Sequence, residues 1–219
     1  MKKVAFVLAF LVSFALSAQH QKGFSFALQF PVKLSEKFEL HNDGGIRLRG
    51  DNMEVYQILY RSGLRYYFNK KYSTAAGFAL FFTDGNLSSD EKKMGAEFRL
   101  WEEFMFQKSY PKDKILLRFR GEQRFFDDYG KKQSYGAEIL RLLTQYTKKI
   151  YGNWSLQTSN EYFYQFRANF SQMDQDRIIV NAVYSNEKHH WELRTGFMEV
   201  IYPNKKYTDN LMLGISKKL

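Results

Sequence analysis

The sequence predicts an all-β fold, an antiparallel up-and-down transmembrane β-barrel with a polar lumen. Three observations carry that prediction. Apolar residues recur at every second position along most of the chain, the period of a strand with one apolar face. The basic residues are sorted by type, with all twelve Arg inside period-two segments and Lys gathered at the breaks between them. Aromatic residues make up 18% of the chain, and many stand beside the shortest breaks, as in the interfacial girdle of a membrane barrel.

The 219 residues are enough for one domain. They include 33 Lys+Arg against 23 Asp+Glu, a net charge of +10, and 44% hydrophobic residues. Such a chain can bury enough apolar surface to offset its conformational entropy, which excludes disorder. The absence of Cys excludes a disulfide scaffold, a thiolate metal site, a Cys nucleophile and a lipid-anchored N-terminal Cys. Mean hydropathy is −0.49. A single apolar run exceeds a dozen residues, so a helical membrane protein is excluded too.

That run, residues 4–18, follows Lys2 and Lys3 and ends in small residues. A basic start, a short apolar stretch and small residues after it describe a secretory signal peptide, with a cut after Ala18 or after Ser17. We therefore read 1–18 as the signal peptide and 19–219 as one barrel domain, destined for the cell outer membrane. Loss of the two lysines leaves 31 basic against 23 acidic residues, a charge of +8.

The strands follow in order. In 24–34, Phe24, Phe26, Leu28, Phe30, Val32 and Leu34 alternate with Ser25, Ala27, Gln29, Pro31 and Lys33. A second segment covers 38–49, where Gly44 and Gly45 suggest a bulge or a turn. In 54–68 the apolar phase is Tyr56, Ile58, Tyr60, Leu64, Tyr66 and Phe68, opposed by Gln57, Arg61, Gly63 and Arg65. In 71–82, Tyr72, Phe78, Leu80 and Phe82 oppose Ser73, Ala75, Gly77 and Ala79. After 92–108 comes 114–126, where Ile115, Leu117, Phe119 and Phe125 oppose Arg118, Arg120, Glu122 and Arg124. Segments 134–148, 153–167, 175–185 and 189–201 continue the period. The last, 208–219, sets Leu211, Leu213, Ile215 and Leu219 against Asn210, Met212, Gly214 and Ser216.

The breaks alternate in length. Short ones fall at 69–70, 109–113, 150–152 and 186–188; longer polar ones fall at 83–91, 127–133, 168–174 and 203–208, the asymmetry of a membrane barrel. The segments number eleven, but a bacterial single-chain barrel normally closes with an even number. Ten strands, or twelve, are therefore expected, with one segment misread in the first fifty residues. The final strand would close against the first, and it resembles the signal read by the barrel-assembly machinery.

A face rich in charge cannot be a dry core, but it can be a hydrated lumen of Arg–carboxylate pairs. The lumen network is expected from Arg99, Arg118, Arg120, Arg124 and Arg177 with Glu97, Glu122 and Glu161; Glu103, Glu138 and Glu192 also fall in strands. Glu102 and Arg141 stand out of phase and read as bulges or interface positions. The girdle is expected from Tyr66, Tyr72, Tyr110, Tyr151, Trp154 and Trp191.

The run from Arg118 through Phe119, Arg120, Gly121, Glu122, Gln123 and Arg124 to Phe125 is preceded by Glu97, Phe98, Arg99, Leu100 and Trp101. It is followed by Asn160, Glu161, Tyr162 and Phe163, then by Gln175, Asp176 and Arg177. In that order they resemble the exported proteins of Gram-negative bacteria grouped as domain of unknown function 2490. The resemblance covers most of the chain after residue 18. It implies an outer-membrane β-barrel and no chemistry. Its recurrent polar positions correspond to Arg118, Arg120, Glu122, Gln123, Arg124, Glu161 and Arg177.

Catalysis needs a nucleophile or activated water beside a base. His20, His41, His189 and His190 are the histidines, and none belongs to a G-x-S-x-G or H-E-x-x-H pattern. We expect no enzyme, no cofactor and no metal. Asp84, Asn86 and Asp90 in the 83–91 loop lack calcium-loop spacing. The lysines are spread over both ends and form no stripe with aromatic platforms, which argues for lipid headgroups and against nucleic acid. The expected partners are outer-membrane lipids and the assembly machinery, and the expected state is a monomer. The role expected is structural or of transport type. The alternatives are a narrow channel or binder for small anionic solutes, an exported soluble ligand-binding barrel, and an outer-membrane hydrolase.

Overall fold

A computed structural model describes residues 21–84, 94–127, 134–167, 170–204 and 206–219. The expected signal peptide, His20, Asn86 and Asp90 lie outside the described residues, as do the lysine pairs at 92–93 and 131–132.

Every described element is a strand. They are β1 (Gln21–Gln29), β2 (Val32–Lys33), β3 (Phe38–Arg49), β4 (Glu54–Tyr67), β5 (Tyr72–Asp84) and β6 (Met94–Ser109). Then come β7 (Asp113–Asp127), β8 (Ser134–Tyr151), β9 (Trp154–Arg167), β10 (Phe170–Asn186), β11 (Trp191–Ile201) and β12 (Tyr207–Lys217). From β2 onward each pairs with its chain neighbour, and β1 pairs with both β12 and β3, so the sheet closes on itself.

β1 and β2 are one strand broken at Pro31. Both pair with β3 in a single register, Gln29 opposite Asp43 and Val32 opposite Leu40. Proline has no N–H to give to the ladder, so the bonding lapses there and resumes. Counted this way, the described residues form eleven long strands, which corrects the expected ten or twelve. The segments at 24–34 and 38–49 are both strands. Gly44 and Gly45 form neither bulge nor turn, because the β3–β4 register runs through them unbroken.

An up-and-down meander with an odd number of strands ends pointing the way it began, so its closure has to be parallel. β1 and β12 are indeed parallel, from Gln21 opposite Thr208 to Gln29 opposite Ser216. The seam runs on past both strands, where Leu219 N donates to Pro31 O at 2.9 Å and Lys33 N to Leu219 O at 3.1 Å.

Turn chemistry pins one rim. Ser35 Oγ accepts from the N–H groups of Lys37 and Phe38, and Asn69 Oδ1 from those of Lys71 and Tyr72. Gly152, at φ 52°, makes the two-residue turn between β8 and β9, a left-handed conformation that glycine adopts without strain. At the other rim, the expected long loop at 168–174 is largely strand. β10 starts at Phe170 opposite Arg167, and the ladder slips at Met173/Gln175. That bulge leaves Asp174 without a ladder partner, so a run of polar residues read as loop is the first turn of a hairpin. A second slip, at Arg47/Leu48, makes Tyr56 the extra residue of β4.

The two faces differ sharply. Phe119, Leu140 and Leu211 on the outside are 58%, 56% and 53% exposed, whereas Arg120 and Glu122 on the inside are 3% and 4% exposed. The apolar part of the interior is small. Trp101 packs with Phe81, Ala75 and Ala79. Its ring lies against Gly63 and Gly77, where a Cβ would come within 2.4 and 2.7 Å of Trp101 Cζ2. The Trp101 indole N–H donates to Phe78 O at 3.1 Å.

Candidate functional site

Strand alternation aims one residue in two at the barrel axis, and on β3, β4, β6 and β7 many of these are ionic, joined by Arg141 of β8 and Glu161 of β9. Glu103 lies at a junction. It accepts from Arg65 Nη2 at 2.7 Å and from Arg120 Nη2 and Nε at 2.5 and 3.0 Å. Glu161 accepts from Arg118 Nη2 at 2.5 Å and from Arg141 Nε and Nη2 at 3.0 and 2.7 Å. Glu122 accepts from Arg141 Nη1, from Arg99 Nη1 at 3.0 Å and from Arg124 Nη2 at 3.2 Å. Arg99 also makes a two-pronged contact with Glu97, at 2.7 and 2.8 Å. A planar guanidinium can bridge two carboxylates on different strands, which a point charge does less well. Here it laces five strands, β4 to β9 apart from the small-residue β5, into one continuous network.

The guanidinium planes also stack. Arg120 lies over Trp101, Arg99 over Phe81, and both Arg141 and Arg177 over Phe163. β5 supplies the room, since Ser73, Ala75, Gly77 and Ala79 are the inward residues ahead of Phe81. Beside the main network, Arg61 grips Asp43 with both arms at 2.8 and 2.9 Å, and His41 Nε2 lies 2.8 Å from the same carboxylate. Arg194 Nε donates to Glu192 at 2.5 Å and its Nη1 to Gln29 at 2.9 Å, across the β12–β1 seam.

The opposite wall, β10 to β1, carries smaller residues and fewer charges inward, with Gly196, Gly214, Ser25 and Ala27 beside Arg177 and Arg194. The result is a cavity of about 600 Å³. Its lining runs from Arg49, Tyr56 and Tyr202, near the rim of the β3–β4 and β11–β12 turns, down to Leu143 and Arg194. Nine arginines line it against three carboxylates, Glu97, Glu161 and Asp174.

Of the residues expected in the lumen, the structure brings Arg99, Arg118, Arg120, Arg124, Glu97, Glu122 and Glu161 into one network. Arg177 stands apart, stacked on Phe163, with its Nε buried and without a hydrogen-bond partner. Tyr66, Tyr72, Tyr110, Tyr151, Trp154 and Trp191 all fall at the rim of the short turns. There Tyr66 meets Phe38 at 5.2 Å, and Tyr184 meets Trp154 and Trp191 at 5.1 and 5.4 Å. Glu102 is no bulge. It sits in regular register on the outer face, between Ala76 and Gly121. Arg141 is likewise regular and points inward, while Glu138, on the other phase of β8, is exposed. Tyr56, expected in the outward phase, lines the cavity because of the β4 bulge.

Asp43, Arg141 and Trp101 were not expected at the site, and Arg61, Arg65 and Glu103, read on the polar side of their strands, were not among the named network residues. Trp101 and Glu103 share the phase of Glu97 and Arg99, so strict alternation along β6 points to them. Asp43 and His41 were obscured by reading Gly44 and Gly45 as an irregularity.

The family model described as protein of unknown function (DUF2490) matches residues 23–210. No curated protein and no solved structure matches the chain.

Proposed function

This chain belongs to the DUF2490 family of proteins of unknown function, and from that premise we propose that it is a monomeric outer-membrane β-barrel. Its role is structural or of transport type, with no catalytic step. Residues 1–18 direct export, lipids surround the wall, and the barrel-assembly machinery inserts it.

One observation carries the reading, the inversion of the two faces. The exposed Phe98, Leu100, Phe104, Phe119, Leu140 and Leu142 form an apolar surface across β6 to β8, interrupted by Glu102. Soluble monomers rarely present such a patch to water. Strand length agrees with it. β4 to β10 run to between 13 and 18 residues, and about 9–11 tilted residues suffice to cross a bilayer. The aromatic rim then stands at a headgroup level.

The test is fractionation of the expressing cells, with boiled and unboiled samples compared on a gel. Membrane recovery and a heat-dependent change in migration are expected. In liposomes, brominated lipid tails should quench Trp154 and Trp191 and leave Trp101 bright. Folded protein recovered from the soluble fraction without detergent would refute the reading.

A further inference from the structure

Six of the nine arginines lining the cavity have a carboxylate within 4.0 Å, among them Arg61, Arg118 and Arg194. The other three, Arg47, Arg49 and Arg177, have none among the described residues. Arg49 stacks on Tyr56 at 3.8 Å near the rim. Arg47 and Arg177 lie deeper. Arg47 Nη1 donates to Gln57 Oε1 at 2.8 Å, and that amide is itself held, its Nε2 donating to Thr83 Oγ1 at 2.7 Å. Arg177 is fixed by the face of Phe163, 4.5 Å from its ring centroid. Its Nε is buried with no acceptor.

Glu161 stands opposite Arg177 in the β9–β10 ladder, but its carboxylate is hydrogen-bonded to Arg118 and Arg141, so the unclaimed donors of these guanidinium groups remain open to whatever anion can enter. The neighbouring wall is apolar. In the β10–β11 ladder Arg177 faces Val200 and Ile179 faces Met198. Met198 and Val200 are buried, and Ile179 lines the same cavity. The site therefore offers two held cationic forks beside an aliphatic patch, in a space suited to a small molecule.

We propose that the cavity binds a small organic oxyanion, a carboxylate or a phosphate monoester. Arg47 and Arg177 hold its head, and its apolar body lies along Ile179, Met198 and Val200. Arg49 is stacked on Tyr56 near the rim, and the remaining six cavity arginines are paired with Glu97, Glu122, Glu161, Asp43 and Glu192, so the deeper charge open to a ligand is that of this pair. The proposal deepens the transport-type reading above and rests on it only for the folded barrel.

The experiment is calorimetric titration of the purified full chain, in a zwitterionic detergent, with three probes: inorganic phosphate, hexyl phosphate and hexanoate. At least one of the two organic probes should bind, and which one does identifies the head. Hexyl phosphate should bind at least about tenfold more tightly than inorganic phosphate, since each buried methylene is worth about 0.8 kcal/mol, roughly fourfold in affinity. Arg47→Met and Arg177→Met should each weaken binding about tenfold or more, while Arg167→Met, at an exposed residue outside the cavity, should leave it unchanged. Should a Met variant not fold, Arg47→Lys and Arg177→Lys keep the charge and lose the fork, and a partial loss is expected. Absence of binding by all probes at millimolar concentration overturns the proposal. So does binding unaffected at both arginines, and equal affinity for inorganic and hexyl phosphate overturns the aliphatic contact. Because binding is read in solution, a soluble protein that binds refutes only the membrane reading. A membrane protein that binds nothing refutes only this one.

Discussion

Glutamine at Glu103 should cost far more stability than glutamine at Glu102, although the two are chain neighbours. Glu103 accepts three hydrogen bonds from Arg65 and Arg120, with Arg118 Nε a further 3.8 Å away. Glutamine keeps one acceptor oxygen and turns an NH₂ toward groups that are themselves only donors. Two charge-assisted bonds at about 1.5–3 kcal/mol each, and the cationic excess left behind, give a loss of about 3–5 kcal/mol, the range for breaking a buried ion pair. Glu102 faces outward beside Gly121, where the ideal Cβ would stand 3.6 Å from its Oε1. Its substitution should change stability by no more than about 0.5 kcal/mol, or raise it where the outer face meets lipid. Urea unfolding in detergent, followed by tryptophan fluorescence, measures both, with equal slopes required for the comparison. A Glu103→Gln variant within about 1 kcal/mol of wild type, or equal losses at the two positions, would sink the claim that this charged face is the interior.

Gly77→Val should prevent folding, read as loss of the heat-dependent gel shift. A Cβ there would lie 2.1 Å from Ser62 O and 2.7 Å from Trp101, and backbone cannot yield. Gly44→Ala, at 3.4 Å from Leu59 O, should fold. The chain has no cysteine, so the seam can be mapped without background. Cysteine pairs at Phe24/Leu211 and at Leu28/Ile215, opposed in the parallel register, should both cross-link; formation of Phe24/Ile215 and Leu28/Leu211 links instead would indicate antiparallel closure. Trp101→Ala should lower stability by about 3–5 kcal/mol and open a leak in planar bilayers, where the wild type is expected to be silent. A variant as silent and as stable as wild type would show that the indole does not fill the lumen.

Alternation was enough to place Arg118, Arg120, Glu122 and Arg124 on one face, because in an unbroken strand phase alone decides the side. It failed where one residue is inserted. Tyr56 and Asp174 sit at bulges, and a bulge is a local slip in pairing that depends on the partner strand. The strand number went astray for another reason. Eleven segments were visible, and the habit of bacterial barrels argued one away. The network itself was only half legible. Arg118 and Glu161 are 43 residues apart and on strands that do not pair, so their meeting depends on curvature and stagger, which no single strand encodes. Arg47 and Arg177 are set apart only by the pairing of the other deep cavity arginines with carboxylates on different strands, which no single strand reveals.

The odd strand number has a practical side. Gln21 stands opposite Thr208 at one rim, while Leu219 bonds to Pro31 and Lys33 at the other. Joining Leu219 to Gln21 therefore means retracing the wall, eleven residues or about 36 Å at roughly 3.3 Å per residue. A circular permutant made through these two positions needs a linker of about a dozen extended residues, where an even-stranded ring would accept a simple turn.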